Sequence, residues 1–306
     1  MRYLLLAAVL GVLGSPAVSV ADFQAGVALA EQGRFASAIH EWRNAAEQGD
    51  AESQFALGLA YERGQGVAQN LEEAFKWHRL AAEGGLQEAQ LRLAQLYMAG
   101  VLQGGTQEAL RWYERAANAG EPTAQFMLGL LYLEGNGVEQ SATQAAQWFE
   151  QAAQQGHSGA QNNLGGMHER GLGVEQDFAR AFEYYELAAK QGDAMAQNNL
   201  GAMYAHGRGV ESNHAWAVFW FAMAASNGNE QARENIEASL PNLQHKAIGG
   251  SRVNIRSGPG TEHSRVAQLE RAQQVYVLGA GGGWSQIYFE QAGVPQLGWV
   301  ASNLIE

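Results

Sequence analysis

The hexapeptide Ala-Gln-Asn-Asn-Leu-Gly occupies residues 160–165 and returns at 196–201. A carboxamide both donates and accepts hydrogen bonds, so Asn162 and Asn198 could read the backbone of a bound polypeptide. Asparagine is also a poor helix former, so its recurrence within helix-forming sequence calls for a reason of its own. Bond-breaking chemistry finds less support. The chain has no cysteine, which excludes thiol nucleophiles and thiolate metal sites. Its eight histidines include no His-Glu-x-x-His set, and His206 and His214 merely straddle one turn. No Ser-x-x-Lys or Gly-x-Ser-x-Gly motif is present. Four Gly-x-Gly turns lack the third glycine and the Lys-Ser/Thr of a phosphate loop, and each follows a helical pattern rather than a strand. The reading is of a protein that is not an enzyme and holds neither metal nor cofactor.

The elements that position the asparagines are repeats. Gln54, Gln90, Gln125, Gln161 and Gln197 recur at steps of 35 or 36 residues, and an aromatic series runs Trp42, Trp77, Trp112, Trp148, Tyr184, Trp220. A fixed period in this range marks stacked supersecondary units. Each unit reads as two helices. The first carries Leu-Gly and then Tyr, as at Leu57, Gly58 and Tyr61, and it stops at Gly-x-Gly-Val (64–67, 135–138, 171–174 and 207–210). Asn70, Ser141, Asp177 and Asn213 then stand as N-caps of the second helix. Small residues flank the aromatic of that helix, as in Ala74, Trp77 and Ala81, and would let helix ridges interlock.

These residues resemble the Sel-one-like repeat, a relative of the tetratricopeptide repeat. The shared pattern is A-Q-x-x-L-G, Tyr, G-x-G-V, Ala-x-x-Trp-(Tyr/Phe) and A-A-x-x-G, over about residues 51–228. A shorter helix pair at 22–49 leads in, and a lone helix at 229–242 would cap the stack. The third unit departs from the pattern at 101–107, and His168 takes the tyrosine slot of the fifth. After a linker at 243–250, alternating Val253–Arg256 and Val275–Val277 read as strands, with turns at 257–260 and 281–283. The V-N-I-R-S-G-P-G opening, Gly-Gly-Trp at 282–284 and Gly-Trp-Val at 298–300 resemble the bacterial SH3-type domain. The expected fold is an α-solenoid of helix-turn-helix repeats (a right-handed superhelix) over 22–242, followed by a small, partly open all-β SH3-like barrel over 251–306.

If the first helix of each pair lines the concave side, the position two before its leucine faces a groove. That position holds Phe55, Leu91, Phe126, Asn162 and Asn198, with Glu169, Arg170 and His206 near the polar end. Apolar side chains of an extended peptide would sit on the first three and its backbone on the asparagines. The same aromatics would equally suit a tightly wound interior, and the asparagines could satisfy neighbouring turns. In the barrel, Trp284 and Tyr288 suit either a ligand platform or core packing, Trp299 reads as core, and Arg256 reads as a turn brace.

The N-terminus places Arg2 before an apolar run from Tyr3 to Leu13, with small residues at Ser19 and Ala21. That order is the pattern of a secretory signal, with cleavage expected near Ala21 and no membrane span retained. Residues 22–245 carry 13 Lys and Arg against 27 Asp and Glu. So acidic a segment disfavours nucleic acid and anionic lipid. The whole reads as a periplasmic or secreted scaffold whose solenoid docks an envelope protein or peptide. The SH3 resemblance implies a second ligand, peptidoglycan or protein. The alternatives are a cell-wall or β-lactam hydrolase and a secreted factor that binds host proteins.

Overall fold

The computed structural model describes residues 19–306, with side chains from Phe23 onward. Of the expected signal segment at 1–21, residues 1–18 lie outside the described residues, and the expected cleavage point at Ala21 falls in the first turn of a helix. Thirteen α-helices follow one another among the described residues. They are α1 (Ser19–Glu31), α2 (Phe35–Glu47), α3 (Ala51–Arg63), α4 (Leu71–Glu83), α5 (Gln87–Met98), α6 (Gly105–Asn118) and α7 (Pro122–Glu134). Beyond Gln140 come α8 (Ala142–Gln154), α9 (Ser158–Arg170), α10 (Phe178–Lys190), α11 (Ala194–His206), α12 (His214–Ser226) and α13 (Gln231–Ser239). The chain forms two compact units, Met1–Gln140 and Ser141–Glu306, and the second holds α8–α13 together with every strand.

Helix ends follow from local chemistry. The side chains of Asn70, Ser141, Asp177 and Asn213 accept backbone N–H groups at the starts of α4, α8, α10 and α12. Gly64, Gly135, Gly171 and Gly207 end the preceding helices in the left-handed conformation. The aberrant third repeat solves the same problem differently. Gly100 and Gly104 take positive φ, and α6 starts with no side-chain cap.

Two close approaches explain why glycine recurs inside the repeat. A Cβ on Gly58, Gly165 or Gly201 would lie 2.5–2.8 Å from the ring of His78, Tyr185 or Phe221. These rings belong to the residue after the aromatic that marks the repeat in sequence. Tyr113, Phe149, Tyr185 and Phe221 are buried, whereas Trp112, Trp148, Tyr184 and Trp220 are half-buried. The second glycine of each Gly-x-Gly-Val turn has a different duty. A Cβ on Gly173 would fall 2.4 Å from the Ala142 carbonyl, and one on Gly209 would fall 2.2 Å from that of Phe178. The turn therefore lies directly against the first residue of the preceding repeat's second helix.

The C-terminal strands are β1 (His245–Ala247), β2 (Val253–Arg256), β3 (Arg265–Leu269), β4 (Gln274–Gly281), β5 (Trp284–Gln291) and β6 (Val294–Ala301). They form one antiparallel sheet in the order β1-β4-β5-β6-β2-β3. Strand β1 lies inside the stretch expected to be a linker, where Lys246 pairs with Val275 and so extends the sheet. Side chains alternate along β5. Ile287 and Phe289 enter the barrel core with Val253, Ile255, Val275 and Val300, while Trp284, Gln286 and Tyr288 face the other way. On that outer face Tyr288, Leu297, Tyr276 and Leu278 pack against Val218, Phe221 and Ile236 of α12 and α13.

Gly156 and Gly173 separate backbone strain from steric approach. Both have positive φ, but a Cβ at Gly156 meets open space. Gly156→Ala is expected to lower stability by about 1–2 kcal/mol, the cost of a left-handed alanine. Gly173→Ala is expected to cost clearly more, because the backbone at Ala142 must also move. Urea denaturation of the two variants checks this, and equal losses would rule out the proposed contact between repeats.

Candidate interaction surfaces

The recurring glutamine is structural. Nε2 of Gln54, Gln90, Gln125, Gln161 and Gln197 donates to the carbonyl of Ala46, Ala82, Ala117, Ala153 and Ala189, each at 3.0–3.1 Å and eight residues upstream. All five side chains are at least nine-tenths buried. Each carbonyl sits in a helix's last turn, where it also takes a turn N–H such as that of Gly49, Gly85 or Gly156. In the second unit the amide oxygens are engaged as well. Gln191 Nε2 donates to Gln161 at 2.7 Å, and Asn227 Nδ2 donates to Gln197 at 2.9 Å.

The asparagines form a second, directional series. Asn199 Nδ2 donates to Asn162 Oδ1 at 3.0 Å, and Asn235 Nδ2 donates to Asn198 Oδ1 at 2.7 Å. The bonds run backward from one repeat to the one before, and the last is supplied by α13. The oxygens of Asn162 and Asn198 thus each accept one bond within the protein. Their nitrogens have no intramolecular acceptor among the described residues, and neither is sealed from solvent. What these two residues still offer is an N–H donor.

The other expected groove residues are placed less uniformly. Phe55, Leu91 and Phe126 are all half-buried, and the Phe55 ring lies 5.2 Å from that of His78. Phe55 also packs against a core cluster containing Ala81, Ala89 and Leu93, so it serves the interior as well as the surface. Glu169 accepts from Tyr185 Oη and from Arg208 Nη1, each at 3.0 Å. Arg170 Nε donates to the Gly166 carbonyl. Both charged side chains are therefore partly occupied, whereas His206 is exposed at the end of α11.

In the barrel, Tyr288 does not belong to an open platform. It is 1% exposed, closed over by α12 and α13, and its hydroxyl donates to Glu290. Burial pushes that hydroxyl well above the ordinary phenol range, and Glu290 adds to the effect. Trp299, expected in the core, stands half-buried on the same outer face as Trp284, where it pairs with Gln286 of β5 and Arg256 of β2. These two tryptophans are the aromatic surface the barrel has left. Arg256 Nη1 donates to the His263 carbonyl and braces the loop between β2 and β3.

One charged cluster was not anticipated from the sequence. In the first unit Glu62 accepts from His78 Nε2 at 3.1 Å and is ion-paired with Arg92. The bond from His78 and then the Arg92 guanidinium outweigh burial and hold the Glu62 carboxyl down at about 2. The signal was available: Glu62 and Glu169 share a repeat position, and each bonds the residue sixteen further on, His78 or Tyr185. Because the folded value lies below the ordinary 4.5, this contact stabilises the fold above pH 4.5 and is lost as pH falls toward 2. Glu62→Gln is expected to cost about 1–3 kcal/mol at pH 7. Thermal melts of both proteins from pH 7 to pH 2 should converge across that window.

Comparison with known proteins agrees with this architecture. The Sel1 repeat model matches residues 51–86, 87–121, 122–157, 158–193 and 194–229, and the bacterial SH3 domain model matches 251–306. A Sel1 repeat protein from Oxalobacter formigenes superposes with a TM-score of 0.66 at 31% identity, over 69% of this chain and 88% of that one. The protective antigen c5321 of uropathogenic Escherichia coli gives 0.69 at 33% identity, over 73% of this chain and 49% of its own. DAP3-binding cell death enhancer 1 of Rattus norvegicus is 47% identical over 53 residues, which is 17% of this chain and only 10% of that protein. With five matched repeats spanning more than half of its length, the chain belongs to the Sel1 repeat family, and it carries a bacterial SH3 domain after the repeats.

Proposed function

We propose that this protein is an exported scaffold of the cell envelope, whose repeats dock a polypeptide and whose SH3 domain holds a cell-wall or protein ligand. In this reading residues 1–21 direct export, 22–242 form the docking solenoid and 251–306 form the second binding module. Sel1 repeats joined to an SH3 domain support a protein-binding scaffold. A mammalian relative of the repeats is named for binding another protein, DAP3. The observation that carries the docking assignment is the polarity of the asparagine series. With each oxygen already accepting a bond from the next repeat, the groups of Asn162 and Asn198 left wholly unbonded within the protein are their N–H donors. Peptide carbonyls are the natural acceptors for a row of such donors. Phe55, Leu91 and Phe126, where half-exposed, supply apolar contact in the first unit. On the barrel, Trp284 and Trp299 are the surface for the second ligand.

Aspartate tests the asparagines cleanly, since it keeps an oxygen for Asn199 and Asn235 but removes the outward donor. The Asn162→Asp/Asn198→Asp protein is expected to melt within a few degrees of the parent. It should bind the principal partner captured from envelope extract at least tenfold more weakly. Unchanged affinity would end the docking assignment. Trp284→Ala should reduce co-sedimentation with purified sacculi if the SH3 ligand is peptidoglycan. Recovery of the protein solely from the cytoplasm would remove the envelope from the reading.

A further inference from the structure

A hollow in the second unit occurs where two repeat positions change together. In two other repeats the second helix and the following first helix contribute an aromatic pair at this place. Phe75 meets Tyr97 with ring centres 6.1 Å apart, and Phe182 meets Tyr204 at 5.3 Å. The equivalent residues here are Ala146 and His168. Both substitutions remove ring volume, and the space left is a cavity of about 670 Å³ lined by Ala146, Glu150, Leu164, His168, Glu175 and Arg180 among others. A smaller hollow beside Phe75 measures about 270 Å³.

The charged groups of the lining are three carboxylates, Glu150, Glu175 and Asp177, against one cation, Arg180. His168 is 5% exposed and stacks on Tyr184 with ring centres 5.8 Å apart. Its Nδ1 faces the Glu175 carbonyl at 3.2 Å, and a carbonyl can only accept, so Nδ1 carries the proton of the neutral ring. In that neutral ring Nε2 is an acceptor with no hydrogen-bond partner among the described residues, on a side chain that lines the cavity. Glu150 is oriented by Tyr184 Oη at 2.8 Å and by Gln154, and no basic side chain pairs with it or with Glu175 among the described residues. Arg180, the one cation in the wall, lies 3.8 Å from Asp177. The lining thus carries an excess of negative charge beside the apolar Ala146 and Leu164, a combination that disfavours anions and suits a cation on a hydrocarbon stem.

We propose that this cavity binds a primary ammonium carried on an aliphatic chain, the chemistry shared by a lysine side chain and a free diamine. The ammonium donates to the Glu150 carboxylate and to His168 Nε2, and the methylenes lie over Ala146 and Leu164. The site is independent of the asparagine series and would stand if that series bound nothing.

The test uses the whole chain with two probes, 1,5-diaminopentane and Nα-acetyl-lysine amide, and pentanoate as the anionic control. Binding is read by calorimetry and by the imidazole nitrogen resonances of His168. Both amines, or one of them, should bind saturably at millimolar concentration or below, and pentanoate should not. Ala146→Phe/His168→Tyr restores the aromatic pair of the other repeats. It should bind at least tenfold more weakly while melting no lower than the parent. Glu150→Gln keeps an acceptor for Tyr184 and should also weaken binding about tenfold, which preserves the test if the double variant folds poorly. Tenfold tighter binding of acetyl-lysine amide would point to a polypeptide as the source of the amine, and the reverse order to a free diamine. No saturable binding of either amine, equal binding of pentanoate, or undiminished binding by the filled variant would overturn the proposal.

Discussion

A buried glutamine amide held by the end of the preceding helix fixes how one repeat meets the next. Removing a buried polar group from water without a partner costs about 1–3 kcal/mol. Each glutamine must therefore find its carbonyl, and each finds it eight residues upstream. The carbonyl is itself one of those that a helix terminus leaves without a helical partner. Two local deficits cancel in one contact, and the first helix of every repeat is keyed in register to the second helix before it. Once that register is set, the turn glycine must lie against the start of the preceding second helix, as Gly173 does at Ala142. The ring of His78, Tyr185 or Phe221 must likewise meet a residue without a side chain.

Specificity in such a scaffold arises at positions the register leaves free to vary. The glutamate position shows this. Glu62 meets a histidine and an arginine from the following helices, while Glu169 meets a tyrosine and Arg208. The same backbone site thus makes two different charged clusters. The asparagines arise in the same way, since the slot that holds Phe55 and Phe126 in earlier repeats holds Asn162 and Asn198 in later ones. A solenoid distributes its chemistry along its length by such exchanges without altering the packing that supports them.

What could be read from the sequence was what the chain decides locally. Period, caps and glycine stops depend on a few adjacent residues, and Asn70, Ser141, Asp177 and Asn213 cap helices as their spacing implies. Side-chain duties that depend on residues 16 to 37 positions away were harder to read. The aromatic series marked the repeat correctly, yet at Gly58, Gly165 and Gly201 the ring that meets the glycine stands one residue later, whereas at Gly26 it is Trp42 of the series itself. The asparagines drew notice as poor helix formers. That one amide bonds another 37 residues on is visible only when the repeats are stacked. The burial of Tyr288 is illegible in the sequence for a related reason. The alternation of β5 places it outside the barrel core, and only the tertiary fold brings α12 and α13 to cover it.

That covering bears on how the protein can work. Two binding modules on a flexible linker gain avidity over a range of partner spacings, because the linker adjusts. Here α12 packs on β4 and β6, and Tyr276, Tyr288 and Leu297 share one apolar cluster with Phe221 and Ile236. The stretch that would have been linker is drawn into the sheet as β1. The barrel closes an apolar helix face that the last repeat would otherwise expose, which is the task a terminal cap performs in a solenoid. Within this unit the distance from Asn198 to Trp284 is therefore set by packing rather than by chain entropy. On the proposed reading, a partner that engaged both surfaces would have to match that spacing, because the packing holds the two surfaces in place before either is filled.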